Sequence, residues 1–242
     1  MPALKADIIT QLKKDILALQ GFRPLLHAQH KIDFGTINHS FPHSQFPLGV
    51  NHEFICHTKE NITASSGFIA GIVSSLLKNS GVAIWISSSQ IVFPPALVSF
   101  GINPSQIIFI HLKNQKEILW TIEEALKCEG LTAVVGEVSF VDLAISRRLQ
   151  LATEQTGVTG FLLRTNQRTL NTTACTCRWV IQHLPSETKD GLPGIGFPKW
   201  NVELLKVRNG KPGSWQLEWV NEQFNEVMMK RSSIIGEHKE AV

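Results

Sequence analysis

The stretch Thr58–Leu77, TKENITASSGFIAGIVSSLL, decides how the chain is read, because it joins a strand-like run, Glu53-Phe54-Ile55-Cys56-His57, to an apolar helical one. In an open α/β sheet the loop after the first strand usually does the phosphate work. Here that loop is expected at His57 to Gly67. A working phosphate loop needs glycines so that backbone N–H groups can wrap the phosphates, a lysine for the β and γ groups, and a hydroxyl for Mg²⁺. This one offers Ser65, Ser66 and Gly67, then Phe68 where a Lys-Ser or Lys-Thr pair belongs, and Lys59 comes too early. The reading is a degenerate phosphate loop.

Outward from this stretch the pattern repeats. After the helix Ala64 to Lys78, "VAIWIS" leads through "FPPALVSFG", where Pro94-Pro95 starts a short helix. "QIIFIHL" leads to a helix over Gln115 to Cys128 with Ile118, Ile122 and Leu126 on one face. "TAVVGEV" leads to a helix over Leu143 to Thr156 with Ile145, Leu149 and Ala152 inward, and "GFLLR" follows. Continuous apolar strands alternating with amphipathic helices predict an α/β fold, a mostly parallel sheet flanked by helices. In the final third "CRWVIQHL", "WNVELLKVRNG" and "GSWQLEWV" alternate instead, and the turn Asn209-Gly210-Lys211-Pro212-Gly213 joins the last two. They predict an antiparallel C-terminal extension, whose Trp200, Trp215 and Trp219 are expected to pack on the core.

The expected organisation is an N-terminal helical arm (1–21), a connecting segment (22–52), a core with its C-terminal hairpin (53–222) and a tail (223–242). The arm's apolar stripe, Ile8, Leu12 and Ile16, is suited to docking in a partner's groove. At 242 residues and 43% hydrophobic content the chain can bury one proper core. Charged residues are 18%, fewer than the ~25% usual in soluble domains, which leaves surface for a partner. A net charge of +3 permits a polyanionic ligand without requiring one.

No apolar N-terminal segment or membrane-length run stands out, so a cytoplasmic protein is expected. The four cysteines lack CxxC spacing, and Cys175 and Cys177 read as small buried hydrophobes. His27, His30, His39 and His43 match no standard ligand spacing, so no metal site is expected. Glu137, ending "TAVVGEV", takes a Walker-B-like position. Without the lysine, the electrostatic stabilisation on which phosphoryl transfer depends is missing, so neither catalysis nor a cofactor is expected.

Four stretches carry a resemblance: "FPLGVNHEF", "AISRRLQLA" at Ala144 to Ala152, "NTTACTCRW" and "WNVELLKVRNGKPGSWQLEW". Over roughly Ile32 to Val220 the chain resembles the ImuA family, RecA-like proteins of bacterial error-prone repair. Against RecA the likeness is architectural, with Gly49 and Glu53 at the first core strand, while the lysine is absent and the loop after Glu137 is short. The resemblance implies an accessory protein of damage-induced (SOS) translesion synthesis. It would act with ImuB, a catalytically reduced Y-family polymerase homologue, and with a specialised replicative-type polymerase. Single-stranded DNA, RecA and a second copy of the chain are further candidate partners.

Arg164, Asn166, Arg168, Asn171 and Thr172 stand where the resemblance implies RecA's second DNA loop, and arginine forks, amides and hydroxyls suit phosphate and sugar contacts. Arg147 and Arg148 read as the outer face of their helix. Two other readings stay open at this point: a nucleotide-dependent RecA-like ATPase or recombinase with an unconventional loop, and a SulA-like inhibitor of cell division.

Overall fold

The computed structural model describes residues 12, 32–78, 81–89, 92–165, 170–186 and 196–227. Among them, the strands β1 (Asn51–Cys56), β2 (Ala83–Ser87), β3 (Ile107–His111), β4 (Ala133–Val138), β5 (Thr159–Thr165), β6 (Cys177–Leu184), β7 (Lys199–Val207), β8 (Gly213–Val220) and β9 (Gln223–Glu226) form one sheet. Its order is β3-β2-β4-β5-β1-β6-β7-β8-β9. The first six in this order run parallel, and β7, β8 and β9 continue antiparallel. The expected α/β fold with its antiparallel extension is what the chain adopts.

Helix α1 (Lys59–Leu77) covers one face, and α2 (Gln115–Leu126) and α3 (Leu143–Thr156) the other. Helix α2 forms because Asn114 caps it, its side chain accepting from the Lys116 N–H at 3.0 Å, and because Ile118, Ile122 and Leu126 recur at helical spacing. All three are fully buried. Asp142 caps α3 through the Ile145 N–H at 2.7 Å, and Gly157 ends it in the left-handed region at φ 78°. The expected bounds of α3 coincide with the observed ones.

The larger core lies between α1 and the sheet and is aromatic. Gly71 is what lets the sheet's last strands reach α1, since a Cβ there would stand 2.7 Å from Phe224 and 2.9 Å from Trp219. Trp200 and Trp219 are buried, and Trp215 packs half-buried against the same cluster. The core extends beyond the expected boundaries at both ends. Two 3-10 turns, Gly35–Ser40 and Pro42–Ser44, carry Phe34, Ile37, Phe41 and Phe46 into it. Strand β9 brings in Phe224, whose ring centroid is 4.7 Å from that of Phe34.

His52 is buried in the same cluster, its ring stacked on Phe46 at 4.4 Å. Trp179 Nε1 donates to its Nδ1 at 3.3 Å, and its Nε2 is 2.8 Å from the Pro47 carbonyl, to which it donates. Burial pushes its pKa down to about 4, against the pull of the Pro47 hydrogen bond, so the ring is neutral. Among the described residues no helix is long and apolar enough to cross a membrane, and no group of three or more His, Cys, Asp or Glu could hold a metal ion.

Candidate functional site at the carboxyl end of the sheet

The connection from β1 to α1 is only His57-Thr58. Thr58 is extended and caps the helix, its Oγ1 accepting from the Asn61 N–H at 3.3 Å. The expected loop from His57 to Gly67 is therefore almost entirely helix. The physical reason is local: no glycine or proline interrupts 58–66, and a cap residue opens the run. Ser65 and Ser66 lie buried in the helix interior, and the Cys56 thiol donates to Ser65 Oγ at 3.5 Å. Gly67 serves packing, since a Cβ there would meet Phe100 at 3.3 Å and Trp200 at 3.4 Å.

The open N–H groups of a helix N-terminus attract anions. Here the chain supplies its own: hydrogen bonds from the Thr58 hydroxyl and from the backbone N–H of Glu60 itself hold the Glu60 carboxyl below the usual carboxylate range. A carboxylate thus stands in the first turn of the helix, where its charge disfavours a bound anion. Glu137, at the end of β4, is buried and accepts from Ser89 Oγ at 2.6 Å. Burial and the nearby Glu137 charge outweigh the Ser65 hydrogen bond and push the Cys56 thiol up to about 11, which keeps it protonated.

The opposite face of the same sheet edge holds an ionic cluster. Glu53 and Arg164 are fully buried and paired, and the Arg164 guanidinium also donates to Asn171 Oδ1 at 2.7 Å. Arg178 Nε donates to Glu53 Oε2 at 2.6 Å, and the Thr173 hydroxyl donates to the same oxygen at 3.0 Å. Arg178 and Lys206 further donate to the carbonyls of Asn171 and Thr173, at 2.9 and 3.0 Å. The Asn171 amide reaches the Val141 carbonyl at 2.8 Å, and Ser146 Oγ on α3 accepts from the Ala174 N–H at 2.9 Å. The segment 171–174 is thereby clamped onto the sheet.

This arrangement corrects the expectation for Arg164. Its side chain points inward to Glu53, so it cannot be a surface phosphate contact in this conformation. Of the other candidates, Thr172 is exposed, Asn171 is half-buried within the cluster, and Asn166 and Arg168 lie outside the described residues. Ile8 and Ile16 lie outside them as well, and Leu12 is helical and exposed. Glu53 and Arg178 are the participants that sequence reading missed as a site. The available signal was a lone carboxylate inside the buried strand Asn51–Cys56, which needs an interior cation.

Over 201 residues the chain is 31% identical to Protein ImuA of Caulobacter vibrioides (strain NA1000 / CB15N), an alignment covering 77% of this chain and 82% of the relative. It belongs to the ImuA family. The figures are the same for Protein ImuA of Caulobacter vibrioides strain ATCC 19089 / CIP 103742 / CB 15, while no protein-family model matches. In this ImuA-family chain the stretch "NTTACTCRW", Asn171 to Trp179, does structural work. It supplies the clamp, Arg178, and the indole that hydrogen-bonds His52.

Proposed function

We propose that this ImuA-family protein is a non-catalytic RecA-like adapter in damage-induced error-prone DNA synthesis. It binds the Y-family polymerase homologue of the ImuB type and helps to position the associated replicative-type polymerase, with the polymerase chemistry residing in those partners. Family membership supports the repair setting. One observation carries the non-catalytic part: the phosphate-binding turn is replaced by a two-residue connection whose helix N-terminus holds Glu60. A nucleotide placed there would meet a negative charge in the first turn and would have neither a cradle of glycine N–H groups nor a lysine opposite Glu137.

Single-stranded DNA remains part of the proposal through the exposed Thr172 and the segment 166–169, with Arg164 acting as a support and not as a ligand. The test is titration of the full chain with ATP-Mg²⁺ and then with the purified polymerase homologue. The expected result is no heat of nucleotide binding, no rise in melting temperature at millimolar ATP, and a stable complex with the homologue. Saturable ATP binding would favour the ATPase reading. Binding to the tubulin-like division protein in place of the polymerase homologue would favour the SulA-like one.

A further inference from the structure

The two edges of the sheet are finished differently. At one, β9 carries exposed Gln223, Asn225 and Glu226 and is tied to the Gly35–Ser40 turn, where Thr36 donates to Glu226 Oε2 through its N–H at 3.2 Å and its hydroxyl at 2.6 Å. At the other, β3 reads Ile107-Ile108-Phe109-Ile110-His111, with no lysine, proline or bulge of the kinds that blunt an edge. Ile107 enters the α1-side core and Ile110 packs on the other one, so alternation puts Phe109 on the α1 side and Ile108 on the α2 side. Both leave apolar surface open, Ile108 being 50% and Phe109 38% exposed.

The backbone of β3 alternates in the same way. The Leu112 N–H donates to the Ser87 carbonyl at 3.1 Å, and Ser87 stands opposite His111. This phase turns the N–H and C=O groups of Ile108 and Ile110 toward β2 and those of Phe109 and His111 away from the sheet. The Ile107 N–H closes the turn at the Pro104 carbonyl, while the Ile107 carbonyl points outward. The outer side of β3 is therefore a row of donors and acceptors that another extended strand can complete.

We infer that β3 pairs antiparallel with the β3 of a second copy of this chain, about a two-fold axis at Phe109, so that two nine-stranded sheets join edge to edge. The strand is its own complement in that register. Phe109 exchanges both hydrogen bonds with its twin, and the His111 N–H of each copy meets the Ile107 carbonyl of the other. On one face Phe109 packs on Phe109, and on the opposite face Ile108 of each copy covers Ile110 of the other, so the surface left open by one chain is closed by the same residues of its mate. Segments of the same chain do not fit. The Thr36–Glu226 contact puts both ends of the described core at the β9 edge, eight strand spacings or about 38 Å from β3. The tail's one apolar pair, Ile234-Ile235, begins seven residues beyond Val227, a reach of about 25 Å even fully extended. The N-terminal arm reads as a helix, with Leu12 helical, and a helix spends its backbone groups internally. One strand pair covers less than the ~1,200 Å² of a standard interface, the class of weak and reversible contacts, so a Kd of about 10–100 µM is expected. The inference goes beyond the adapter reading and does not rest on it.

The test is sedimentation velocity of the full chain from about 1 to 300 µM, where a monomer–dimer equilibrium is expected. Phe109→Lys should weaken the dimer about tenfold or more, as a charge on an edge strand does. Phe109→Pro should do the same, because it removes an N–H that faces away from β2 and leaves the β2 ladder whole. Trp120→Ala, on the exposed side of α2, should change nothing. Circular dichroism melts check that each variant stays folded. Cysteine cross-linking in a Cys128→Ser background reads the register. Phe109→Cys should link to itself, since a hydrogen-bonded antiparallel pair sets its Cα atoms about 5.5 Å apart, within disulfide range. Ile108→Cys should link to Ile110→Cys of a second copy and not to itself. A monomer at every concentration, a dimer that survives Phe109→Lys or Phe109→Pro, or open-ended oligomers would overturn the inference. So would a monomer whose Phe109 and His111 amides become protected from hydrogen exchange only when the polymerase homologue is added, which would make the occupant a strand of that protein. Loss of homologue binding with the dimer intact would count against the adapter reading alone.

Discussion

Removing Glu53 should harm the fold more than removing Arg164, and the difference separates a structural cluster from a DNA contact. Glu53 is a single carboxylate between two guanidiniums, with exposures of 0% for Glu53, 0% for Arg164 and 13% for Arg178. Glu53→Gln leaves two buried cations facing a neutral amide, the uncompensated-charge case that costs about 3–5 kcal/mol. Arg164→Met leaves Glu53 paired with Arg178 and with the Thr173 hydroxyl, so its loss is that of charged hydrogen bonds, about 2 kcal/mol. For a domain of this size each kcal/mol lowers Tm by about 2–4 °C, which places Glu53→Gln roughly 6–20 °C and Arg164→Met roughly 4–8 °C below the parent. Thermal melts by circular dichroism at one scan rate and neutral pH would measure both. If Arg164→Met melted within about 2 °C of the parent, or if the order reversed, the argument that this cluster holds the segment 171–174 in place would be wrong.

Three further outcomes follow from the same structure. His52 is held neutral with a pKa of about 4 against 6.5 when unfolded, so its stabilising share is complete above pH 6.5 and is lost as pH falls toward 4. That share is about 3 kcal/mol, and His52→Phe should lose the corresponding part of the acid sensitivity in urea melts; an unchanged pH slope would contradict it. Gly71→Ala should lower Tm despite better helix propensity, because the added methyl meets Phe224 and Trp219 within 3.0 Å, an overpacking cost of about 1–3 kcal/mol; Gly130→Ala, with open space around it, serves as the control. In the native state only Cys128 should react with a thiol reagent, since Cys56, Cys175 and Cys177 are buried and burial raises their pKa values, to about 11 and about 12 for the first two. Mass spectrometry showing a second adduct before unfolding would refute this.

Much of the architecture was legible because it is written in periodicity. The stripe of Ile118, Ile122 and Leu126 and the Asp142 and Gly157 punctuation of α3 are local signals, and local signals survive into the structure. What escaped was of two kinds. The start of α1 was misread because position after a strand suggested a loop, although Thr58-x-x-Asn61 and the absence of glycine up to Gly67 already described a capped helix. The ionic cluster escaped because its members are brought together across 111 and 125 residues of chain, a separation that polarity at a strand end cannot report. The segment 32–46 gave no signal either, since 3-10 turns with phenylalanines at irregular intervals have no period to detect.

The contact of Phe224 with α1 and the N-terminal turns also bears on how the chain is made. Phe34, Phe68, Trp200 and Trp219 all place their rings within 6.1 Å of Phe224, so a segment that leaves the ribosome early is completed by one made 190 residues later. Such long-range closure slows folding. Until Phe224 has been synthesised and released, α1 presents an aromatic surface that chaperones and proteases can recognise. A message truncated before β9 would then yield a chain exposed to clearance, and the amount of this ImuA-family protein in the cell would depend on translation reaching Phe224.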